Sequence, residues 1–119
     1  MKRTAFCLIL GCLALPAFAE GDTQRGQSAW NARCASCHAI DADRVGPRHG
    51  GVFGRRAGAL AGFNYSPALK AAGHTWDAAT LDRWLSDPEK FVPGQRMFVK
   101  VPDARERQDI VAYLRTLRP

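Results

Sequence analysis

Cys34-Ala35-Ser36-Cys37-His38 is the stretch on which the reading of this chain turns. Two thiols three residues apart, followed at once by an imidazole, form the C-x-x-C-H pattern of c-type haem attachment. On a helix, residues i and i+3 share a face, so both thiols can reach the two vinyl groups along one porphyrin edge and form thioethers. His38 stands four residues after Cys34, and its imidazole can reach the iron from the same side. Two other readings compete. A thioredoxin-like redox pair needs a βαβ context that the flanking sequence lacks. Half of a zinc site needs two further ligands, and His49, His74 and the carboxylates show no recognisable zinc spacing.

The other two cysteines, Cys7 and Cys12, fall in residues 1–19, which read as a secretory signal peptide. Lys2 and Arg3 supply the positive start, Ala5 to Leu15 the apolar stretch, and Ala17-Phe18-Ala19 the small-x-small cleavage site. The apolar run falls short of the roughly 20 residues that a spanning helix needs. A retained membrane anchor, or a lipid on Cys12, is the alternative; a cut before Cys12 would leave an unusually short signal and strand Leu13 to Phe18. The expected mature chain is residues 20–119, one domain beginning at Glu20, exported to the periplasm. Export suits the motif, because c-type haem is attached outside the cytoplasm. A disulfide between residues three apart would staple almost nothing, so for a small domain with a modest core a cofactor is the better expectation.

The chain carries 17 Lys and Arg against 11 Asp and Glu, formally +6, and loses two of those charges with Lys2 and Arg3. A mild excess without a concentrated basic stripe argues against a nucleic-acid partner and leaves docking to acidic proteins open.

Caps and periodicity place four helical segments, with no strand alternation and no internal repeat, so the fold class is all-α. The first runs from about Thr23 to Cys37 with Asp22 or Thr23 as N-cap. Gly26 inside it costs about 1 kcal/mol against alanine and marks either a close helix crossing or a tolerated glycine. Ser66-Pro67 opens a short helix to Ala72, closed by Gly73. Asp77 caps a third, whose Leu81, Trp84 and Leu85 form a stripe that stops before Pro88. The last begins with a capping box, Asp103-x-x-Glu106, and turns Ile110, Val111, Tyr113, Leu114 and Leu117 to one face. Residues 39–63 form a glycine-rich loop longer than compact domains keep without a purpose. Val52, Phe53, Leu60 and Phe63 are spaced through it, which suits wrapping a rigid non-protein group.

A sixth iron ligand is a choice among Met97, His49 and His74. A lone methionine is more often a core filler. Met97, on the proline-constrained loop Val92-Pro93-Gly94-Gln95-Arg96-Met97, is nevertheless the one thioether left once Met1 is removed, and it is the favoured ligand.

These motifs together resemble the class I cytochromes c, the soluble mitochondrial carrier and its close bacterial relatives. The resemblance spans residues 20–119 through Gly21-Asp22, Cys34-x-x-Cys37-His38, Gly46-Pro47, Val52-Phe53-Gly54-Arg55, Trp76, Pro88, Pro93-Gly94-x-x-Met97 and Ala112-Tyr113-Leu114. It implies a single small cytochrome c domain, helices and Gly/Pro-rich loops wrapped around one covalently attached haem c, with His38 and Met97 as metal ligands. By the same resemblance the Pro47 carbonyl accepts the His38 Nδ1 proton, as partners of ligating histidines do. Arg55, Tyr65 and Trp76 match the donors to the haem propionates, a buried carboxylate needing such donors. Read singly, they are a loop charge and two core aromatics. Gly26, Trp30 and Tyr113 match the contact where first and last helices cross. Four positions depart from the family: His49 for an apolar residue, Leu69 for a polar one, Trp84 for a tyrosine near the methionine sulfur, and Gln95 for a threonine. They leave the hydrogen bonding on the methionine side open.

Iron held by two fixed side chains has no open site for substrate. The resemblance therefore implies a soluble periplasmic carrier of single electrons, not an enzyme. It is expected to be monomeric and to dock transiently on membrane electron-transfer complexes such as a cytochrome bc complex, a terminal oxidase or a photosynthetic reaction centre. Arg33 and Arg96, with Lys90 and Lys100, are expected around the exposed haem edge, whereas Glu89 and Asp103 take places where the mitochondrial carriers have lysines. The alternatives are a haem enzyme with an open distal site served by His49, and a subunit dedicated to one dehydrogenase.

Overall fold

Each helix starts where a short side chain can take up the free N–H groups of a first turn. In the computed structural model, which describes Gly11 and residues 20–119, the elements are α1 (Thr23–Arg33), α2 (Pro67–Ala71), α3 (Ala78–Ser86), α4 (Pro88–Phe91) and α5 (Ala104–Thr116). The segment expected to be a signal peptide, with Cys7 and Cys12, lies outside the described residues except for Gly11. Asp22, Ser66, Asp77, Asp87 and Asp103 are the N-caps, each accepting from backbone N–H groups of its helix. α4 was not anticipated. Pro88 ends the α3 stripe but also sits at a first-turn position of the next helix, where its missing N–H costs nothing.

Two boundaries differ from expectation for physical reasons. α1 stops at Arg33 rather than reaching Cys37, and Cys34 is its C-cap. The chain then makes a separate turn, in which the Cys34 carbonyl accepts from both Cys37 N–H (3.1 Å) and His38 N–H (2.9 Å). At α5, Asp103 caps the Arg105 and Glu106 N–H groups, but Glu106 does not turn back to complete the box; its carboxylate pairs with Arg33 instead. A bidentate charged contact outcompetes a single bond to an N–H. The reciprocal box forms at Asp77 and Thr80 of α3.

α1 and α5 cross at Gly26, where an added Cβ would run into the Asp109 carbonyl and come within 2.9 Å of Tyr113 Cβ. Trp30 packs edge-on against Tyr113, ring centroids 6.0 Å apart. Ile110 and Val101 are wholly buried beside Leu81, Leu85 and Leu114, and side chains of this size contribute about 1.5–3 kcal/mol each on burial. The long loop is tied down by its backbone. His49 and Gly50 donate to Ala39 and Ile40, and Gly51 to Leu117. An isolated antiparallel bridge joins Arg56 to Thr75. No helix among the described residues is long and apolar enough to cross a membrane.

Candidate haem-attachment site

The doubly used Cys34 carbonyl gathers Cys34, Cys37 and His38 on one turn at the end of α1. Cys34 is buried in the core cluster and Cys37 is half-buried; neither is in a disulfide. Burial pushes the Cys34 thiol up to about 11, against the lowering effect of Arg33.

His38 Nδ1 lies 2.7 Å from the Pro47 carbonyl. A carbonyl only accepts, so Nδ1 carries the proton and donates it, leaving Nε2 with a free lone pair for a metal. Burial holds the imidazole below the usual histidine range, although the Pro47 bond works the other way. Gly46 lies against the ring so closely that any Cβ there would strike it.

His49, the first of the departures, stacks face-on against His38, centroids 3.9 Å apart and planes 21° apart. Its Nδ1 accepts from the Trp30 indole N–H at 2.9 Å. Burial first, then the neighbouring His38 and Arg55, keep it well below the histidine range and hence neutral. Ligands on opposite sides of a metal point their nitrogens at each other, each about 2 Å from the ion. A ring stacked flat on His38 does not face it in that way, so in this arrangement His49 would not share a metal with His38 from the opposite side.

Arg55 is half-buried and donates to the Arg48 (2.9 Å) and Gly50 (2.6 Å) carbonyls. Burial lowers its guanidinium, while the nearby Tyr65 partly restores it. Tyr65 is buried, its hydroxyl accepting from Leu60 N–H at 3.3 Å, and burial raises it. Trp76 is buried edge-on to Trp84 at 5.3 Å, and its backbone pairs with Gly54 and Arg55. Arg55, Tyr65 and Trp76 are thus tied to neighbouring stretches of chain.

Met97 is half-buried and packs against the cluster that holds Cys34, Trp76 and Trp84. Its N–H donates to Gln95 Oε1, the Gln95 amide donates to Glu89 Oε2 (3.3 Å), and Gly94 N–H donates to Glu89 Oε1 (3.0 Å). Glu89 thus turns onto the loop rather than standing as a free surface charge, and Asp103 is consumed as a helix cap. Among the basic residues expected near the haem edge, Arg33 pairs with Glu106 and Lys100 with Asp87 (3.3 Å). Arg96 donates to the Asn64 carbonyl, and Arg96 and Lys90 make no ion pair among the described residues. The Trp30–His49 bond and the inward role of Glu89 escaped sequence reasoning. A glutamate two residues into α4, five before Gly94, was the available signal for the second.

The donor set fits a covalently held haem: two thiols and an imidazole with its free nitrogen fixed, on one turn bordering an apolar core. Among the described residues no three His, Cys, Asp or Glu side chains gather into a metal cage, so the zinc reading finds no further ligands.

Fold and site together define a small all-helical domain whose donor set suits a covalently attached haem. The chain belongs to the cytochrome c family, whose model matches residues 23–118. It is 41% identical to cytochrome c2 of Rhodomicrobium vannielii over 84% of this chain and 82% of that protein. It is 42% identical to cytochrome c of Chlamydomonas reinhardtii over 82% of this chain and 94% of that one. Cytochrome cH from Methylobacterium extorquens superposes with a TM-score of 0.77 at 44% identity, covering 81% of this chain and 99% of the other. Members of the family are electron carriers rather than enzymes, with one covalently attached haem c, and this chain is a carrier of that kind.

Proposed function

We propose that the chain works in the periplasm, after removal of residues 1–19, with Cys34 and Cys37 as thioether anchors and His38 and Met97 as the iron's two axial ligands. The observation that carries this reading is the 2.7 Å contact from His38 Nδ1 to the Pro47 carbonyl, on the same turn as both thiols. It orients the imidazole and commits Nε2 to the metal. Bound there, the haem supplies one-electron exchange between ferrous and ferric iron.

The remaining work belongs to the chain. Two ligands from fixed side chains leave no place for an external substrate, and the pairing of histidine with methionine in an apolar surround favours the ferrous state. Arg55 would offset the charge of the propionates, and Arg55, Tyr65 and Trp76 would supply hydrogen-bond donors to them. Transient docking on membrane electron-transfer complexes draws on Arg96 and Lys90, which make no ion pair among the described residues.

The test is spectroscopic. The purified protein should have the mass of residues 20–119 plus one haem that resists acid extraction. Its ferric form should show the weak far-red band of methionine sulfur on iron. Met97→Ala should lose that band, admit carbon monoxide to the ferrous iron and lower the potential. An unchanged spectrum in Met97→Ala would sink the ligand assignment.

A further inference from the structure

Met97 approaches its position on a loop whose hydrogen bonds form a closed relay. Val92 N–H donates to Pro88 and Gln95 N–H to Val92, which sets the turn on the end of α4. From α4, Glu89 reaches forward so that one carboxylate oxygen accepts Gly94 N–H and the other accepts the Gln95 amide. Gln95, only 6% exposed, passes the chain on by accepting Met97 N–H at its own oxygen.

The polarity of this relay admits one arrangement. Met97 N–H can only donate and the Glu89 carboxylate can only accept, so the residue between them must offer an acceptor to one and a donor to the other. A primary amide does so in a single flat group. A threonine is too short to span the same gap, so this departure from the family changes what holds the loop.

We infer that Glu89 and Gln95 are positioning residues for Met97, fixing the backbone N–H of the ligand residue so that its sulfur stays on the iron. The inference rests on Met97 being the axial ligand. It assigns α4 a purpose as the platform from which the ligand loop is held, and it gives Glu89 a role directed inward rather than toward partners.

The experiment measures how fast imidazole binds the ferric holoprotein, a reaction that must wait for Met97 to leave. Gln95→Ala should accelerate binding roughly tenfold and Glu89→Ala by roughly threefold, the ordinary worth of one or two hydrogen bonds. Gln95→Glu, which keeps the volume but sets carboxylate against carboxylate, should also be fast. Because the two residues share one relay while Glu89 also holds Gly94 N–H by itself, Glu89→Ala/Gln95→Ala should be faster than Gln95→Ala alone by less than the full threefold effect of Glu89→Ala. Rates equal to wild type in Gln95→Ala and Gln95→Glu, or fully additive effects, would overturn the inference. A far-red sulfur band present in wild type while those rates stay unmoved removes the relay alone. Absence of that band from wild type removes the ligand assignment and the relay with it.

Discussion

Arg33 and Glu106 join the end of α1 to the first turn of α5 through two parallel hydrogen bonds, Nε to Oε1 at 2.5 Å and Nη2 to Oε2 at 3.1 Å. The guanidinium one residue before Cys34 is therefore compensated on the spot, and its field toward an approaching partner is reduced. Glu106→Gln should release that charge and raise the low-salt second-order rate with an acidic redox partner. The gain should fade above about 0.1 M salt, where the screening length is about 10 Å. Both side chains are partly exposed, so the stability lost should stay under about 1 kcal/mol. Stopped-flow rates across ionic strength provide the check, and a rate indifferent to Glu106→Gln at low salt would show that Arg33 does not face the partner.

Asp109 is buried and accepts Asp22 N–H at 2.7 Å and the Arg25 guanidinium at 2.8 and 3.2 Å, tying the start of α1 to α5. The Arg25 bond first, then the Asp22 N–H, holds its carboxyl below the ordinary aspartate value of 3.8. The folded state thus resists protonation more than the unfolded chain does. The stabilisation is complete above the ordinary value and is lost as pH falls through the lower folded one. Asp109→Ala should cost about 2 kcal/mol at neutral pH, in the range for hydrogen bonds to a charged group. It should also flatten the acid limb of the stability curve, as denaturant melts from pH 7 to 2 would record.

Gly26→Ala should be among the most damaging single-atom additions in the chain. Both obstacles to the new methyl group lie on α5, one of them backbone, so the helices must move apart. Overpacking of this kind costs about 1–3 kcal/mol, whereas helix propensity alone would have favoured alanine by about 1 kcal/mol. A Gly26→Ala variant more stable than wild type by thermal melting would refute the crossing.

His74 wedges between Trp76 and Phe91, 4.5 and 4.9 Å away by ring centroids, and its buried Nε2 has no hydrogen-bond partner among the described residues. Burial first, then the positive Arg83, holds it below 6.5, with Asp77 pulling weakly the other way. The unfolded chain binds this proton more readily, so stability declines as pH drops below 6.5 toward the folded value. His74→Leu should remove that portion of the slope and add about 1 kcal/mol at pH 7 by deleting an unsatisfied polar group. Chemical melts at pH 7.5 and 5.5 would separate the two effects.

What the sequence disclosed was local. C-x-x-C-H, the aspartates before α1, α3 and α5, and Ser66-Pro67 before α2 act on residues within a turn of themselves, so their meaning is written in order along the chain. α4 was hidden because Pro88 serves both as the stop for α3 and as the start of a four-residue helix, and a stop is the commoner reading. The half-made box at Asp103 failed for another reason: Arg33, 73 positions earlier, claimed Glu106. His49 stood out at once as a departure, yet nothing near it in sequence indicated the indole of Trp30 as its partner. Glu89 read as a surface charge because a glutamate's reach back onto the following loop depends on the loop being folded.

The Trp30 side chain has two employers. Its ring packs edge-on against Tyr113 of α5, while its N–H is given to His49, which lies flat on His38. α1 and α5 cannot undock at this point without disturbing the support behind that imidazole. The packing of α1 on α5 and the setting of the His38 ring are thereby coupled through one side chain. Loosening the helix crossing and disturbing the His38 ring are consequently linked events, and damage at either is passed to the other through the same indole.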